Sequence, residues 1–202
     1  FSPLSLALFE AMEVQPDAAR KAVIDTTIKA LVAAGVWDAL DVLHVYAAHT
    51  EQAALLNWIN PGTFDGTAVS GPTFTVDEGF TGDGSADYID SNFNPTTAPS
   101  PNYVRDSAHR AGRALNSHGG VLLGDAAASN SVVFVGSSGN FVNINNGGLV
   151  FSPAPAAATG FFIAQRVGAN DLEAYRDGTL YGSDNANASE AVADNNFVAL
   201  QT

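Results

Sequence analysis

The feature that most constrains this chain is a change of hydrophobic period near Asn60. Before it, apolar residues recur at helical spacing. After it, turn residues cut the chain into runs of strand length. The punctuation reads PG, DG, GP, GDG, GG, SSG, NNGG and DG. Each mark suits a turn, because Gly and Asn tolerate positive φ and Pro pre-sets a negative one. Between the marks stand TAVSG, PTFTV, DYIDSNF, GGVLLG, SVVFVG, NFVNIN, GLVFS, TGFFIAQRV, DLEAYRDGTLYGS and NNFVAL. Many are rich in Val, Ile, Phe and Tyr, and several alternate in polarity as half-buried strands do. Roughly ten short strands at such spacing predict an antiparallel β-sandwich or jelly roll over residues 60–200. No βαβ rhythm is present, so a parallel sheet is not expected.

The segment before Asn60 reads as helical. Asp17 favours the positive end of a helix, Pro16 suits a first turn, and Gly35 stands where a left-handed C-terminal cap belongs. Between them Val23, Ile24, Ile28, Leu31 and Val32 recur at helical spacing, with Arg20, Lys21, Asp25 and Lys29 as a polar face. This predicts one helix over residues 17–34. Upstream, Leu4, Leu8 and Met12 are spaced by four with Phe9 beside them, so on a helix they share a face. The arm Phe1 to Val14 is expected to bury this stripe partly against another subunit, with folding back on its own domain as the alternative. Downstream, Trp37, Leu40, Leu43, Val45 and Tyr46 predict a turn and a first strand, LDVLHVYAA, and Thr50 is a suitable N-cap for a brief helix, EQAALLNW. Two hairpins are legible, at Asp177-Gly178 and at Asn145 to Gly148. The first sets Leu172, Ala174 and Arg176 on one face of a sheet and Glu173 and Tyr175 on the other.

Composition narrows the function. The 202 residues suffice for one well-buried domain, and 46% hydrophobic against 14% charged is globular, not disordered. With 8 Lys+Arg against 21 Asp+Glu the formal net charge is −13. Such a surface repels phosphate backbones, so nucleic acid is not an expected partner. Arg105, Arg110 and Arg113 form only a loose cluster. There is no cysteine, which removes disulfides and thiolate zinc sites. No apolar run approaches the roughly 20 residues that span a bilayer, so membrane insertion is not expected. The sequence opens at Phe1, as a processed or trimmed chain would, and FSPLSLALFEAM lacks a basic leader and a cleavage pattern.

The block WDALDVLHVYAAHTEQAALLNWINPGTFDGTAVSGPTFTVDEGFTGDGSADYIDSNFNP, followed by SPNYVRDSAH, resembles a domain recurring in tailed-bacteriophage structural proteins, in tail fibres and other virion surface proteins. Those domains are of the concanavalin A-like lectin/glucanase (laminin-G-like) sandwich type. FFIAQRVGANDLEAYRDGTLYGS matches the same pattern, with a strand ending in a Tyr-x-Asp-Gly hairpin. The likeness covers residues 17–200, and its most specific part runs from Asn57 to Pro95. It implies a helical lead-in over residues 1–56 and a sandwich over 57–202. Relatives of this type continue through further strands and a C-terminal helix. The resemblance therefore implies either a C-terminally incomplete sandwich or a strand edge, after NNFVALQT, that another chain closes.

The candidate chemistry is sparse. Glucanases of the superfamily carry Glu-x-Asp-x-x-Glu on one strand, and none of Glu10, Glu13, Glu51, Glu78, Glu173 and Glu190 makes that spacing. Asp83, Asp87 and Asp90 could supply a carboxylate pair or, with backbone carbonyls, oxygen ligands for calcium. Turn chemistry is the preferred reading of TGDGSADYID, because it lacks the D-x-[DN]-x-[DN]-G order. Ser107, His109 and Asp106 are sequence neighbours, and neighbours on a strand point to opposite faces. GSSGN at 136–140 is a turn, and no G-x-S-x-G elbow or phosphate-cradling loop is present. His44 and His49 lack partners at ligand spacing. Tyr103, with Asn102 and Arg105, is an aromatic-polar cluster in a Pro-rich loop, more simply read as packing.

The expectation is a non-catalytic virion structural protein: a fibre, spike or decoration subunit on the particle surface. Its partners are other virion proteins and further copies of itself. A glycan-binding adsorption module with a host surface glycan as ligand is the alternative, and a carbohydrate-active enzyme the third class. No catalytic residue, metal ligand set or cofactor is assigned, and the ligand-binding residues are unknown.

Overall fold

The structure is a computed structural model. It describes residues 1–97, 109–114, 121–125, 131–136, 139–145, 148–151, 159–189 and 196–201. Helices come first and antiparallel sheets follow.

Helix α1 spans Pro3–Ala11, with the Ser2 side chain accepting from Ser5 N. Its inward residues Leu8 and Phe9, and Met12 just after it, are buried within this chain. Of the expected stripe, Leu4 is 39% exposed. Helix α2 spans Ala18–Ala33 and is capped at both ends. Asp17 is the N-cap, accepting from Arg20 N, so Pro16 stands before the helix and not in its first turn. At the other end Gly35 (φ +69°) donates to Val32 O and Val36 N donates to Leu31 O. Those two bonds make a Schellman motif.

Two residues of the predicted apolar face, Val23 and Val32, are exposed, whereas Ile24 and Ile28 are buried. Asp25, predicted on the polar face, is buried instead. Its carboxylate accepts from Ser2 N, Ser5 Oγ and Lys29 Nζ, which compensates its removal from water. A 3-10 turn, Trp37–Ala39, seats Trp37 in the core, and α3 (Glu51–Leu55) begins at Thr50, whose Oγ1 accepts from Ala53 N.

The stretch LDVLHVYAA is not a strand. It makes one isolated bridge, His44 to Asn57. Its backbone groups are used elsewhere: Leu43 N donates to Asn57 Oδ1, Leu43 O accepts from Trp58 N, and Ala48 N donates to Tyr46 O. A side chain and local turns thus take the groups that a ladder would need.

Thirteen strands are present among the described residues: β1 (Thr67–Val69), β2 (Thr73–Thr75), β3 (Gly79–Thr81), β4 (Tyr88–Asp90), β5 (His109–Ala114), β6 (Val121–Asp125), β7 (Ser131–Gly136), β8 (Gly139–Ile144), β9 (Gly148–Phe151), β10 (Gly160–Gly168), β11 (Asp171–Arg176), β12 (Thr179–Asp184) and β13 (Phe197–Gln201). They form a seven-stranded sheet in the order β1-β4-β13-β6-β7-β8-β9, a four-stranded sheet β12-β11-β10-β5 and the hairpin β2-β3. All recorded pairings are antiparallel. Strand β13, from NNFVALQT, is not an open edge: it pairs with β4 on one side and β6 on the other.

The hairpin between β11 and β12 turns at Asp177 (φ +49°) and Gly178 (φ +80°), as the Asp-Gly pair predicts. Inward-facing Phe162, Ala164 and Arg166 of β10 and Leu172 and Ala174 of β11 are buried. Arg166 is fully enclosed, and its Nε donates to Ile144 O at the end of β8 in the other sheet (2.6 Å). Strands β10 and β8, β12 and β9, and β5 and β6 lie in contact across the two sheets.

The helical core includes Leu8, Ile28, Trp37, Leu56 and Trp58, and it continues past residue 56, because Phe74 and Phe80 of the small hairpin pack on it. Two features join it to the large sheet, and a buried amide ties its own loops together. Gly66 lies between Leu55 and Ile89, where a Cβ would be 3.1 and 3.2 Å from their side chains. Phe64 meets Phe93 edge to face. Asn57, fully buried, accepts from Leu43 N and Ile59 N and donates to Thr63 O and Asp41 O.

Candidate functional site

The outward face of the four-stranded sheet is built by strand alternation. Since Phe162, Ala164, Leu172 and Ala174 point inward, their neighbours Phe161, Ile163, Gln165, Glu173 and Tyr175 point outward. Register then sorts these into rows. Gln165 stands opposite Glu173, and Glu173 opposite Ser183. In the next row Ile163 stands opposite Tyr175, and Tyr175 opposite Leu180. A polar row thus runs beside an aromatic-aliphatic one. An irregularity at Ala174/Tyr175 sets Tyr181 as the extra residue of a bulge between Leu180 and Gly182 in β12, and both Leu180 (51%) and Tyr181 (36%) are exposed there. Phe161 (42%) and Val167 (52%) extend the apolar surface along β10.

At the centre of the face Glu173 Oε2 accepts from Gln165 Nε2 (2.7 Å) and from Tyr175 Oη (2.8 Å). The Gln165 bond, then the Tyr175 bond, hold the Glu173 carboxyl below the usual carboxylate range. Reciprocally, donating to Glu173 raises the Tyr175 phenol. At neutral pH the face therefore presents an ionised carboxylate fixed by two neighbours on rigid strands, next to a tyrosine ring. It can accept hydrogen bonds from hydroxyl groups and offer a ring to an apolar ligand face. Among the described residues Glu173 is the one carboxylate at this spot. Asp171 has the same strand parity, but its carboxylate lies over Gly168, where a Cβ would be 2.9 Å from Oδ2.

The aspartates singled out in TGDGSADYID serve the backbone. Asp83 Oδ1 accepts from Ser85 N and Ala86 N, and Asp87 Oδ2 accepts from Asp83 N. The Ala86 and Ser85 bonds lower the Asp83 carboxyl. Asp90 accepts from Asn92 N and from Asn196 Nδ2. Among the described residues no group of three or more His, Cys, Asp or Glu is placed to hold a metal. No helix among them is long and apolar enough to cross a membrane. Glu10, Glu13, Glu51 and Glu78 are exposed and dispersed over α1, the turn after it, α3 and the turn between β2 and β3.

His49 Nε2 lies 2.7 Å from Val14 O, and His44 Nε2 lies 3.0 Å from Phe64 O; the structure does not bring the two histidines together as a pair of ligands. Asn102, Tyr103, Arg105, Asp106, Ser107, Ser137, Ser138 and Glu190 lie outside the described residues. Of His109, Arg110 and Arg113 only the backbone, in β5, is described. Gln165 was not legible as a site residue. The alternation in DLEAYR sets Glu173 and Tyr175 on one face, but only the pairing of β10 with β11 brings Gln165 beside them.

Comparison with known proteins gives no match: no family model, curated protein or solved structure is significantly similar to this chain.

Proposed function

We propose that this chain is a non-catalytic structural subunit of a tailed-bacteriophage particle, a fibre, spike or decoration protein at the virion surface. The seven- and four-stranded sheets are, in this reading, the two layers of a concanavalin A-like sandwich, and residues 1–56 are its helical lead-in. The observation that carries it is the inward face of β10 and β11. Phe162, Ala164, Leu172 and Ala174 form an apolar layer, and Arg166 ties the four-stranded sheet to β8. Two sheets joined through alternating inward residues are what that architecture requires. The resemblance of Asn57 to Pro95 to phage surface domains supplies the biological setting. Self-association and contacts to other virion proteins follow from that setting.

The test is to identify the chain by mass spectrometry in purified particles and to locate it by antibody labelling. A fixed copy number at the particle surface is expected. Its absence from particles of a producing culture would sink the reading.

The Gln165–Glu173–Tyr175 face favours a second reading, adsorption to a host surface glycan. Sugar hydroxyls suit the Glu173 carboxylate, and a sugar ring suits Tyr175 and its apolar row. A single fixed carboxylate also lacks the second group that glycoside hydrolysis employs. Under this reading Glu173→Gln and Tyr175→Ala each weaken binding to host polysaccharide about tenfold or more, the loss of one hydrogen bond or stacking contact. No reducing sugar is released by the native chain. Binding unaffected by both substitutions removes the glycan reading, and sugar release abolished by Glu173→Gln replaces it with catalysis.

A further inference from the structure

The hydrogen bonds at the centre of the four-stranded sheet use up donors and leave acceptors. An ionised carboxylate cannot donate, so the amide nitrogen of Gln165 is the end that faces Glu173, and the orientation of that amide is fixed. The Tyr175 phenol has one proton, and it too goes to Glu173 Oε2. Among the described residues nothing engages Glu173 Oε1 or the Gln165 amide oxygen, and the Tyr175 oxygen keeps its lone pairs. All three side chains are half-buried and reach the surface. Against these three acceptors stands one spare donor, the second hydrogen of the Gln165 amide. The carboxylate charge is also uncompensated: Gln165 and Tyr175 stabilise it, and no cation among the described residues acts on it. Arg166 is enclosed on the opposite face, and the Arg176 guanidinium lies over the inward Phe162 ring, 5.6 Å from its centroid.

We infer that the glycan taken by this face carries free amino groups, as an N-deacetylated amino-sugar polymer does; the inference rests on the adsorption reading and names its ligand. A protonated primary amine is the complement of such a site. It is cationic, has three donors and no acceptor, and is attracted to the adjoining Tyr175 ring. Glu173 Oε1 takes the ammonium in a charge-assisted hydrogen bond, with the Gln165 amide oxygen and the Tyr175 oxygen beside it. The sugar ring then lies on the row of Ile163, Tyr175 and Leu180. Other sugars fit less well. A hydroxyl leaves the Glu173 charge unanswered, and an N-acetyl group sets a carbonyl oxygen against acceptors. A uronate is repelled by Glu173 and by a chain whose formal net charge is −13. Gln165 and Tyr175 are positioning residues as well as contacts, because by holding Oε2 they leave Oε1 for the ligand.

The experiment is calorimetric titration of the full chain at about pH 6, where the amine and Glu173 are both charged. The ligands are β-1,4-linked oligosaccharides of equal length, made of glucosamine, N-acetylglucosamine, glucose or glucuronate. The glucosamine oligosaccharide should bind about tenfold or more tightly than its N-acetylated form, the worth of a charge-assisted hydrogen bond. In Glu173→Gln that preference should fall to about threefold or less, while Glu78→Gln, which removes an exposed carboxylate elsewhere, should keep it. Equal binding of the free and acetylated forms, or tighter binding of the glucose or glucuronate one, overturns the amine inference and leaves the glycan reading standing. A preference that survives in Glu173→Gln overturns it as well, because the attraction then belongs to the acidic chain as a whole. If no oligosaccharide binds, the glycan reading falls and the inference with it. Should Glu173→Gln fold poorly, NMR of the native chain decides: the Gln165 side-chain amide should shift on adding the glucosamine oligosaccharide, and an unmoved amide overturns the site.

Discussion

The helical core and the β-rich body are each built around a large, fully buried polar side chain, Asn57 and Arg166, and use it in opposite ways. Asn57 is neutral and works over short range, both accepting and donating, with partners at Asp41, Leu43, Ile59 and Thr63. It replaces regular structure where the backbone has none. Arg166 is charged and only donates, to carbonyls at a strand end and in the turns beyond β10 and β12: Ile144 O, Ala169 O and Asn187 O. Its charge is answered by Asp184, whose carboxyl is lowered first by bonds from Ala186 N and Asn187 and further by the Arg166 charge. A neutral hub can be satisfied entirely by nearby backbone. A buried charge needs elements that only a finished tertiary structure brings together.

That contrast can be broken at its strongest point. Arg166→Met should destabilise the fold by about 3 kcal/mol or more, because three carbonyls lose a charged donor, the buried Ile144 O among them. Urea unfolding checks it, and a loss under about 1 kcal/mol means the sheets do not depend on the Ile144 contact. Asn57→Ala should cost about 2–3 kcal/mol by the same measurement, with Leu43 N and Ile59 N left without their acceptor. If the two substitutions prove equal in cost, charge is not what separates the two hubs.

Smaller effects sharpen the comparison within the helical part. Gly35→Ala should cost about 1 kcal/mol, through the left-handed φ alone, since a Cβ there meets nothing within 4 Å. The Asp25 carboxyl sits well below the usual carboxylate range because of Lys29 first, then Ser2 N and Ser5 Oγ. A lowered folded value means its stabilisation is present above the ordinary value of 3.8 and lost as pH falls below it. Thermal melts between pH 5 and pH 2 should therefore show a decline that is shallower in Asp25→Asn. The smallest stability effect is expected for Glu173→Gln, within about 0.5 kcal/mol, as for an outward-facing position. Its readout is the Tyr175 phenol, which should titrate at lower pH once the charged acceptor at Glu173 is replaced by a neutral amide.

What the sequence by itself determined is local. Asp17 and Gly35 bound α2, Thr50 starts α3, and Asp177-Gly178 turns the β11–β12 hairpin, because each acts on backbone within a few residues of itself. The alternation in DLEAYR likewise assigns Leu172 and Ala174 inward without any knowledge of the other sheet. The tertiary structure alone decided the rest. β5, HRAGRA, has almost no strand propensity and is a strand only because β10 pairs with it. β3 is three residues made possible by Asp77 and Gly79 at positive φ. LDVLHVYAA has the composition of a strand and fails to become one, because Asn57 takes its backbone groups. Gln165 and Glu173 are eight residues apart in sequence and become bonded neighbours through register. Non-local pairing competes with propensities of a few tenths of a kcal/mol per residue, and it wins wherever burial or a satisfied polar group is at stake.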